Sequence, residues 1–274
     1  MIRRILAVAM IEATITRRNR WLLMATVIMV LFAVALTLAG SAPTGTLGVN
    51  MLTVSVASMT TLSVYLAPLL ALMMAFDSIA GEAERGGLGL LLSYPVSRAE
   101  ILLGKFVAHL SALAFAMIVG FGVAGGLAAV QGGVDAASLV ALVRLILTSI
   151  LLGAAFLALG YMLSALAGSA TGAAGLSAGL WMVFVVLYDL GLLGAVVFDA
   201  GGWFTQTLFP WALAANPADA FRLWNVAASD GVAMATGLSG AASALPDWVA
   251  PTSLLLWPVL ALLLARYFFE RLEP

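Results

Sequence analysis

Six long apolar runs dominate the chain, and most of its charged residues lie between them. Each run has about 20 residues or more, the length that an α-helix needs to cross the roughly 30 Å hydrocarbon core of a bilayer. We number the runs spans 1 to 6, and they cover about 21–39, 57–76, 106–130, 139–163, 172–198 and 252–269. The pattern predicts an all-α integral membrane protein with six transmembrane helices, in a single transmembrane domain over 1–274.

The composition agrees with a surface that faces lipid. Of the 274 residues, 64% are hydrophobic and 9% are charged, whereas soluble domains carry about 25% charged residues because their surfaces face water. There is no cysteine and only one histidine, His109, which excludes disulfides, thiolate metal sites and a metal site made of several histidines of one chain. We therefore expect no metal site and no cofactor in this chain, and we interpret His109 as a satisfied polar group at the inner end of span 3.

Positive charges are distributed unevenly between the two sides of the predicted spans. The stretch before span 1, the segment between spans 2 and 3, and the end of the chain from span 6 onward hold ten of the twelve lysine and arginine residues. Cytoplasmic loops carry such an excess, so we expect both termini in the cytoplasm. The opposite side holds Arg222 and five aspartates, with Arg144 just inside the membrane.

The N-terminal stretch 1–20 is amphipathic. Apolar residues recur at helical spacing from Ile2 onward, with Arg3, Arg4 and Glu12 between them. This pattern predicts an interfacial helix along the cytoplasmic surface, and a plain extension of span 1 is the alternative.

The outer segment 199–251 is rich in tryptophan, a residue that sits at the level of the lipid headgroups. We therefore predict interfacial or re-entrant helices in this segment. Within it, Asn216 can cap a helix that begins at Pro217. Asp219 can then pair with Arg222 one helical turn later.

The dense polar segment 77–105 lies between spans 2 and 3. Its first part predicts a short acidic helix that ends at Gly86-Gly87, followed by an apolar run and a turn at Tyr94-Pro95. Ser97 and Glu100 have the spacing of a capping box at the start of the next helix. We expect Glu82, Glu84 and Arg85 at an exposed tip. The leucines from Leu88 to Leu92 would not suit a solvated connector, so something should bury them.

This segment resembles the permease subunits of ABC-2 type ABC transporters. The resemblance is carried by Glu82-x-Glu84-Arg85-Gly86-x-Leu88, by Leu91-Leu92-Ser93-x-Pro95-Val96-Ser97-Arg98 and by Gly104-Lys105. Gly87 and Gly89 depart from the family pattern, in which Thr and Glu are common at these places. In that family the segment is a cytoplasmic coupling helix region that docks in a groove of a separate ATPase. The resemblance therefore assigns ATPase coupling to Asp77, Glu82, Glu84, Arg85, Gly86, Leu88, Leu91, Leu92, Pro95 and Arg98.

Two shorter strings, Leu92–Val96 and Asn216–Leu223, resemble a narrower group, the NosY-type permeases. These are the membrane subunits of the system that matures the copper sites of nitrous oxide reductase in denitrification. The resemblance implies a bacterial inner membrane protein whose partners are a cytoplasmic ABC ATPase dimer with ATP and Mg²⁺, a periplasmic β-helix protein, a second copy of the chain and membrane lipid. It implies no nucleic-acid partner. It also marks a periplasmic-side motif, made of Asn216, Pro217, Asp219 and Arg222.

The chain lacks the phosphate-binding loop of an ATPase. Its only Gly-Lys pair, Gly104-Lys105, is followed by Phe106 and has no glycine at the required upstream position. Glu82 and Glu84 are two residues apart and would face different sides of a helix, which argues against a catalytic carboxylate pair. We therefore expect a non-catalytic subunit, with ATP hydrolysis on a partner chain.

Two ionisable residues fall within predicted spans, where such residues are usually functional. Arg144 of span 4 and Asp189 of span 5 would lie at similar depth, and an ion pair between them would offset much of the cost of burying either charge. The alternative is that Arg144 reaches outward to the interface and Asp189 lies in a hydrated part of the protein.

Glycines three or four residues apart mark two further faces, which permit close helix approach in lipid. They are Gly122 and Gly126 in span 3, and Gly168, Gly172, Gly175 and Gly179 in and before span 5. We predict a dimer face on span 5, and packing within the chain is the alternative.

Three functions are compatible with the sequence. The first is an ABC permease that couples ATP hydrolysis to transport or to conformational signalling, with copper, a sulfur species or nothing crossing the membrane. The second is an ABC-2 exporter of a lipid, a drug or another apolar substrate. The third is a secondary transporter or channel, which would need midplane charges or broken helices, and spans 1, 2, 3 and 6 show no such charge well inside the membrane.

Overall fold

The computed structural model describes residues 1–18, 20–39, 51–226 and 244–272. These residues form helices joined by short turns, and no strand occurs among them. Six of the helices are long and apolar enough to cross a membrane, which confirms the predicted all-α class and the number of spans. The predicted outer segment 199–251 is described in part, because residues 227–243, which include Asp230, lie outside the described residues.

The helices are numbered here in chain order. They are α1 (Ile2–Arg18), α2 (Trp21–Ala39), α3 (Met51–Ala75), α4 (Ala80–Glu84), α5 (Gly87–Leu92), α6 (Arg98–Gly132), α7 (Ala136–Leu166), α8 (Ala170–Trp181), α9 (Tyr188–Asp199), α10 (Phe209–Ala215), α11 (Pro217–Val226) and α12 (Val249–Arg271). Spans 1, 2, 3, 4 and 6 are α2, α3, α6, α7 and α12. Span 5 consists of α8 and α9 with a π-helical stretch, Met182–Leu187, between them.

Several spans are longer than the apolar runs predicted. Span 2 begins at Met51 and span 3 at Arg98, six and eight residues earlier than expected. Span 3 can begin early because Ser97 and Glu100 form the predicted capping box. The polar residues in its first turns are buried against other helices rather than exposed to lipid, so hydropathy alone underestimates its length.

Spans 2, 3 and 4 form the centre of the fold. The share of each apolar window that is buried is 61%, 44% and 50% in these three helices, 22% in spans 1 and 6, and 6% in span 5. Spans 2 and 4 approach closely at Gly160, where an added Cβ would lie 2.5 Å from the Cβ of Ala75. Span 5 is therefore the least covered of the six spans.

The predicted glycine faces are open within the part of the chain that the structure describes. No heavy atom lies within 4 Å of the place that a Cβ would take at Gly122, Gly126, Gly175 or Gly179. The close contacts between helices are made at other glycines instead. Packing within the chain therefore does not explain these four glycines. Of the other two predicted positions, Gly168 has a φ of 65°, and an added Cβ at Gly172 would lie 2.9 Å from Ser169 Oγ.

A wide turn interrupts span 5. Residues Met182–Leu187 form π-helix, a geometry that is rare and is often found at functional sites. The side-chain amide of Asn216 donates a 2.7 Å hydrogen bond to the carbonyl oxygen of Phe184, within this turn. The turn is therefore attached to the loop between α10 and α11.

Helix α1 packs against the start of α6 through a glycine. An added Cβ at Gly104 would lie 2.6 Å from the Cβ of Val8 and 3.0 Å from the carbonyl oxygen of Ile5. A side chain at this position would have to push the α1 backbone away.

We expect Gly104→Ala to lower the free energy of unfolding by about 1–3 kcal/mol, the usual cost of overpacking. The measurement is thermal unfolding of the full chain in mild detergent. Gly122→Ala is the matched control, because it faces open space and alanine favours helix more than glycine does. Equal melting temperatures for the two variants would contradict the close packing of α1 against α6.

Candidate functional site

The segment that is predicted to be cytoplasmic begins where span 2 ends, at a turn that is held by one buried hydroxyl group. Ser164 of span 4 donates a 2.6 Å hydrogen bond to the carbonyl of Phe76. The same oxygen accepts from the backbone N–H groups of Ile79 and Ala80, at 3.1 and 3.0 Å. Because a turn inside a membrane protein must satisfy its freed backbone groups, Ser164 both permits this turn and attaches it to span 4.

Two short helices follow this turn and form the tip of the segment. The pattern predicted the acidic helix α4, whereas α5 falls on the stretch that was predicted only as an apolar run. Helix α4 ends at Glu84, and α5 follows Gly86, whose φ of 71° lies in the left-handed region, which glycine adopts without strain. Helix α5 then presents Leu90, which is 67% exposed, and leads to Tyr94, which is 61% exposed.

The leucine run is divided between the protein core and the surface. Leu88 is 1% exposed and belongs to the central core. Leu91 and Leu92 are half-buried against the same core, whereas Leu90 points outward. The expectation that something buries these leucines is thus met for Leu88 by the chain itself, and Leu90 is the large apolar side chain left at the tip.

A buried cluster of charges lies behind the tip. The Nζ atom of Lys105, whose side chain is 2% exposed, lies 2.9 Å from Glu12 Oε2 and 2.5 Å from Glu82 Oε1. His109 Nε2 lies 3.3 Å from Glu12 Oε1, and His109 Nδ1 lies 2.7 Å from the Tyr161 hydroxyl. We call these five residues the Lys105 cluster, and they connect α1, α4, α6 and α7.

The Lys105 cluster stabilises the ionised form of Glu12. Burial alone would raise the pKa of Glu12, but the hydrogen bond with His109 and the charge and hydrogen bond of Lys105 outweigh burial and lower the pKa to about 2. Glu12 is therefore a carboxylate at any physiological pH. Glu82 Oε2 is buried and has no hydrogen-bond partner among the described residues, so the attachment of α4 to this cluster rests on Lys105.

The predicted position of Glu82 at the exposed tip is wrong. Its side chain is 22% exposed and turns inward to Lys105, because a buried ammonium group requires a carboxylate partner. Glu84 and Arg85 are exposed, as expected. The Arg85 guanidinium lies 3.0 Å from Asp77, and the hydrogen bond with Asp77 raises the pKa of Arg85.

Arg98 attaches the far end of the segment to the last span. Its guanidinium donates to the carbonyl oxygen of Phe269 and, at 2.7 Å, to that of Leu272. Cations stabilise such unpaired carbonyls at helix C-termini. The segment is thus fixed at both ends, while Pro95, Tyr94 and the α4–α5 tip remain exposed.

A second charged cluster lies at the other end of the helices. Arg222 Nη1 lies 2.6 Å from Asp189 Oδ2 and 2.8 Å from Asp219 Oδ1, which confirms the predicted pair of Asp219 and Arg222. The predicted pair of Arg144 and Asp189 is wrong: Arg222 takes Asp189, and Arg144 lies over the ring of Trp224, 5.8 Å from its centroid. The depth of two residues along their helices does not show whether their side chains face each other. The cation that lies close to Asp189 is Arg222 of α11.

Asn216 and Pro217 begin α11 as predicted. The Asn216 side-chain oxygen accepts a 2.9 Å hydrogen bond from the Ala218 N–H, and Pro217 is the first residue of the helix. Asp219 Oδ2 is buried and has no hydrogen-bond partner among the described residues. It borders a cavity of about 190 Å³ that Asp189 and Arg222 also line.

Sequence reasoning did not find the Lys105 cluster as a unit. It assigns Glu82 to the coupling segment, Lys105 to the Gly104-Lys105 motif, Glu12 to an amphipathic pattern and His109 to the satisfied polar groups. The structure confirms the last interpretation and gives its partners. A usable signal was available, because Lys105 is the only lysine of the chain and lies at the end of a span, where an ammonium group needs an anion. In the described ranges, no three histidine, cysteine, aspartate or glutamate side chains are arranged to hold a metal ion.

Known proteins share this sequence pattern over nearly the whole chain. The model of a protein family described as ABC-2 family transporter protein matches residues 6–273. The chain is 42% identical over 258 residues to the probable ABC transporter permease protein NosY of Stutzerimonas stutzeri, covering 93% of both chains. It is 43% identical over 262 residues to the protein of the same description in Pseudomonas aeruginosa, again covering 93% of both chains. With six apolar helices, these relatives identify a multi-pass protein of the bacterial inner membrane.

Proposed function

The chain belongs to the ABC-2 family of transporter proteins and is a NosY-like permease, and we propose that a separate cytoplasmic ATPase acts on it through the α4–α5 tip. The proposed partner is an ATPase dimer that binds ATP and Mg²⁺. In this proposal the chain catalyses no reaction and converts movement of the ATPase into movement of its spans.

The Lys105 cluster is the observation that supports this proposal most directly. A force on the exposed residues Glu84 and Leu90 acts on α4 and α5, and Glu82 of α4 is held by Lys105 of span 3. The turn before α4 is held by Ser164 of span 4. Packed elements with buried polar connections move as bodies rather than deforming gradually, so displacement of the tip would move these two spans and α1 with it.

We further propose that the transporter serves the maturation of the copper sites of nitrous oxide reductase, together with a periplasmic β-helix protein. Identity of 42–43% to NosY permeases over 93% of the chain supports this assignment. The lone histidine is engaged by Glu12 and Tyr161, and the chain has no cysteine. These facts favour conformational signalling or export of a sulfur species over passage of copper along side-chain ligands of this chain.

A second copy of the chain is part of the proposed assembly. Span 5 is the least covered of the spans, with 6% of its window buried. Gly175 and Gly179 are open on its surface, and such small residues permit close helix contact in lipid. These features support a homodimer in which span 5 contributes to the interface.

The test of the proposed function changes the tip and leaves the Lys105 cluster intact. We expect Glu84→Lys combined with Leu90→Asp to reach the membrane at normal levels, because both side chains are exposed. The amount of ATPase that the variant retains in pull-downs from membranes should fall about tenfold or more. Charge reversal and loss of an apolar contact at a small interface each weaken the free energy of binding, together by a few kcal/mol. Nitrous oxide reductase from the same cells should lack copper.

Glu270→Lys is the matched control for this experiment. It reverses an exposed carboxylate of α12 that pairs with Arg266 and is not part of the tip, and it should leave ATPase retention unchanged. Full retention of the ATPase by the tip variant would show that this segment is only a connector. If the ATPase is lost but the reductase still contains its copper, the assignment to copper-site maturation is contradicted, while the coupling role of the tip is not.

A further inference from the structure

An apolar groove of about 530 Å³ runs along the first half of span 4, beside α11. It is lined by Leu139, Val140, Val143, Arg144, Leu147, Thr148, Leu151 and Trp224. Leu139, Val140, Val143 and Leu147 are each at least half exposed, so the groove opens sideways, where the lipid of the membrane lies. An open groove of this composition is suited to a hydrocarbon chain.

Among the described residues that line the groove, Arg144 is the charged one. Its guanidinium contacts the ring of Trp224, and it forms no ion pair with any residue in the described ranges. Asp189, the carboxylate predicted for it, is held by Arg222. The neighbouring Thr148 and Asn225 are hydrogen-bonded to each other and are neutral. A cation in an apolar span requires an anion to offset its desolvation, and the described protein supplies none here.

Membrane phospholipid can supply this anion. A guanidinium group forms two parallel hydrogen bonds with a phosphate, a geometry that favours arginine at phosphate sites. Tryptophan sits at headgroup level, which fits the position of Trp224 beside Arg144. A zwitterionic headgroup would also bring an ammonium group, and among the described residues no carboxylate borders the groove to receive it.

A second copy of the chain is a poorer occupant for the groove. Its described carboxylates at this end of the helices are already engaged, with the exception of Asp247. Asp135 caps α7, Asp199 accepts from the Thr205 N–H, and Asp189 and Asp219 bind Arg222. A partner chain would therefore offer apolar contacts but few anions.

We propose that this groove binds one anionic glycerophospholipid, with its phosphate on Arg144 and an acyl chain along the exposed residues of span 4. The bound lipid lies between span 4 and α11. Since α11 also carries Asp219 and Arg222, the lipid lies beside the helix that forms the ion pairs of Arg222.

The test is native mass spectrometry of the delipidated full chain, titrated with phosphatidylglycerol and with phosphatidylethanolamine of the same acyl chains. We expect the first phosphatidylglycerol to bind about tenfold more tightly than phosphatidylethanolamine, because the ammonium group of ethanolamine would bring a second cation close to Arg144. Arg144→Gln should remove this preference, and Arg144→Lys should keep part of it. Arg266→Gln, which removes an arginine that already pairs with Glu270, should bind as the wild type does.

A second variant tests the acyl chain. Leu147→Trp places a larger side chain at an exposed position in the groove and should weaken the binding of both lipids without changing the fold. Equal affinity of the wild type for the two lipids, or an unchanged preference in Arg144→Gln, would overturn the proposal. So would a loss of dimer in Arg144→Gln with lipid binding intact, because a second copy would then be the occupant.

Discussion

Replacing Lys105 with methionine should lower the free energy of unfolding by about 3–5 kcal/mol, the cost of removing one partner from a buried ion pair. Methionine keeps the length of the side chain but leaves Glu12 and Glu82 without their cation. The reduced stability should appear as a much lower melting temperature in detergent and as less protein in the membrane. The ATPase should also be retained poorly, because α4 would no longer be fixed to span 3.

Two further variants separate the charge from the side-chain volume. Arg85→Met removes an exposed cation of the same segment, whose side chain is 62% exposed, and should change stability by about 1 kcal/mol at most. Adding Glu12→Gln and Glu82→Gln to Lys105→Met removes the unpaired carboxylates and should restore most of the stability. A Lys105→Met protein that melts like the wild type would show that the cluster contributes nothing to the fold.

Raising the pH from about 5 to 7.5 should lower the free energy of unfolding by on the order of 2 kcal/mol through Asp219 alone. Burial, together with the charge of Asp189, raises the pKa of Asp219 from 3.8 to about 7, although Arg222 acts in the opposite direction. Between these two pKa values the folded chain holds one proton more than the unfolded chain. The stabilisation is complete below pH 3.8, falls as the pH rises through this window, and is constant above it.

Asp219→Asn should remove this part of the pH dependence. The amide can still accept from Arg222, and its N–H groups can donate to Asp189, but it cannot ionise. Melting temperatures at both pH values for the variant and the wild type provide the measurement, and the difference between the two proteins excludes other titrating groups. Asp247→Asn, at an exposed carboxyl group, should behave as the wild type does. An equal pH dependence of the wild type and Asp219→Asn would show that Asp219 is ionised in the fold at pH 5.

Hydropathy was sufficient to predict the architecture, because bilayer thickness dictates the length of an apolar helix whatever its neighbours are. All six spans were found, and span 1 has the predicted bounds of Trp21 and Ala39. Local rules were equally reliable. The Ser97–Glu100 capping box and the helix start at Asn216-Pro217 depend on neighbouring residues only, so the sequence contains all of the information they need.

The pairing of charges between distant helices could not be predicted in the same way. Arg144 and Asp189 have similar depth, but the rotation of each helix about its axis decides which side chains meet, and packing sets that rotation. Glu82 was expected outside for a related reason, since its partner Lys105 lies 23 residues away in sequence. The orientation of the termini, the membrane placement of α1 and the partners stay predictions.

The wide turn of span 5 has a consequence for insertions and deletions. A π-helical turn contains one residue more than the α-helical turn it replaces, and one residue rotates everything beyond it by about 100°. Loss of a single codon within 182–187 would therefore restore a regular helix and turn Asp189 away from Arg222, although the sequence would still contain Asp189, Asp219 and Arg222. In a related chain, a gap of one position here would mean that the part of span 5 after the π-helical turn presents different residues to α11, however high the sequence identity of the two chains is.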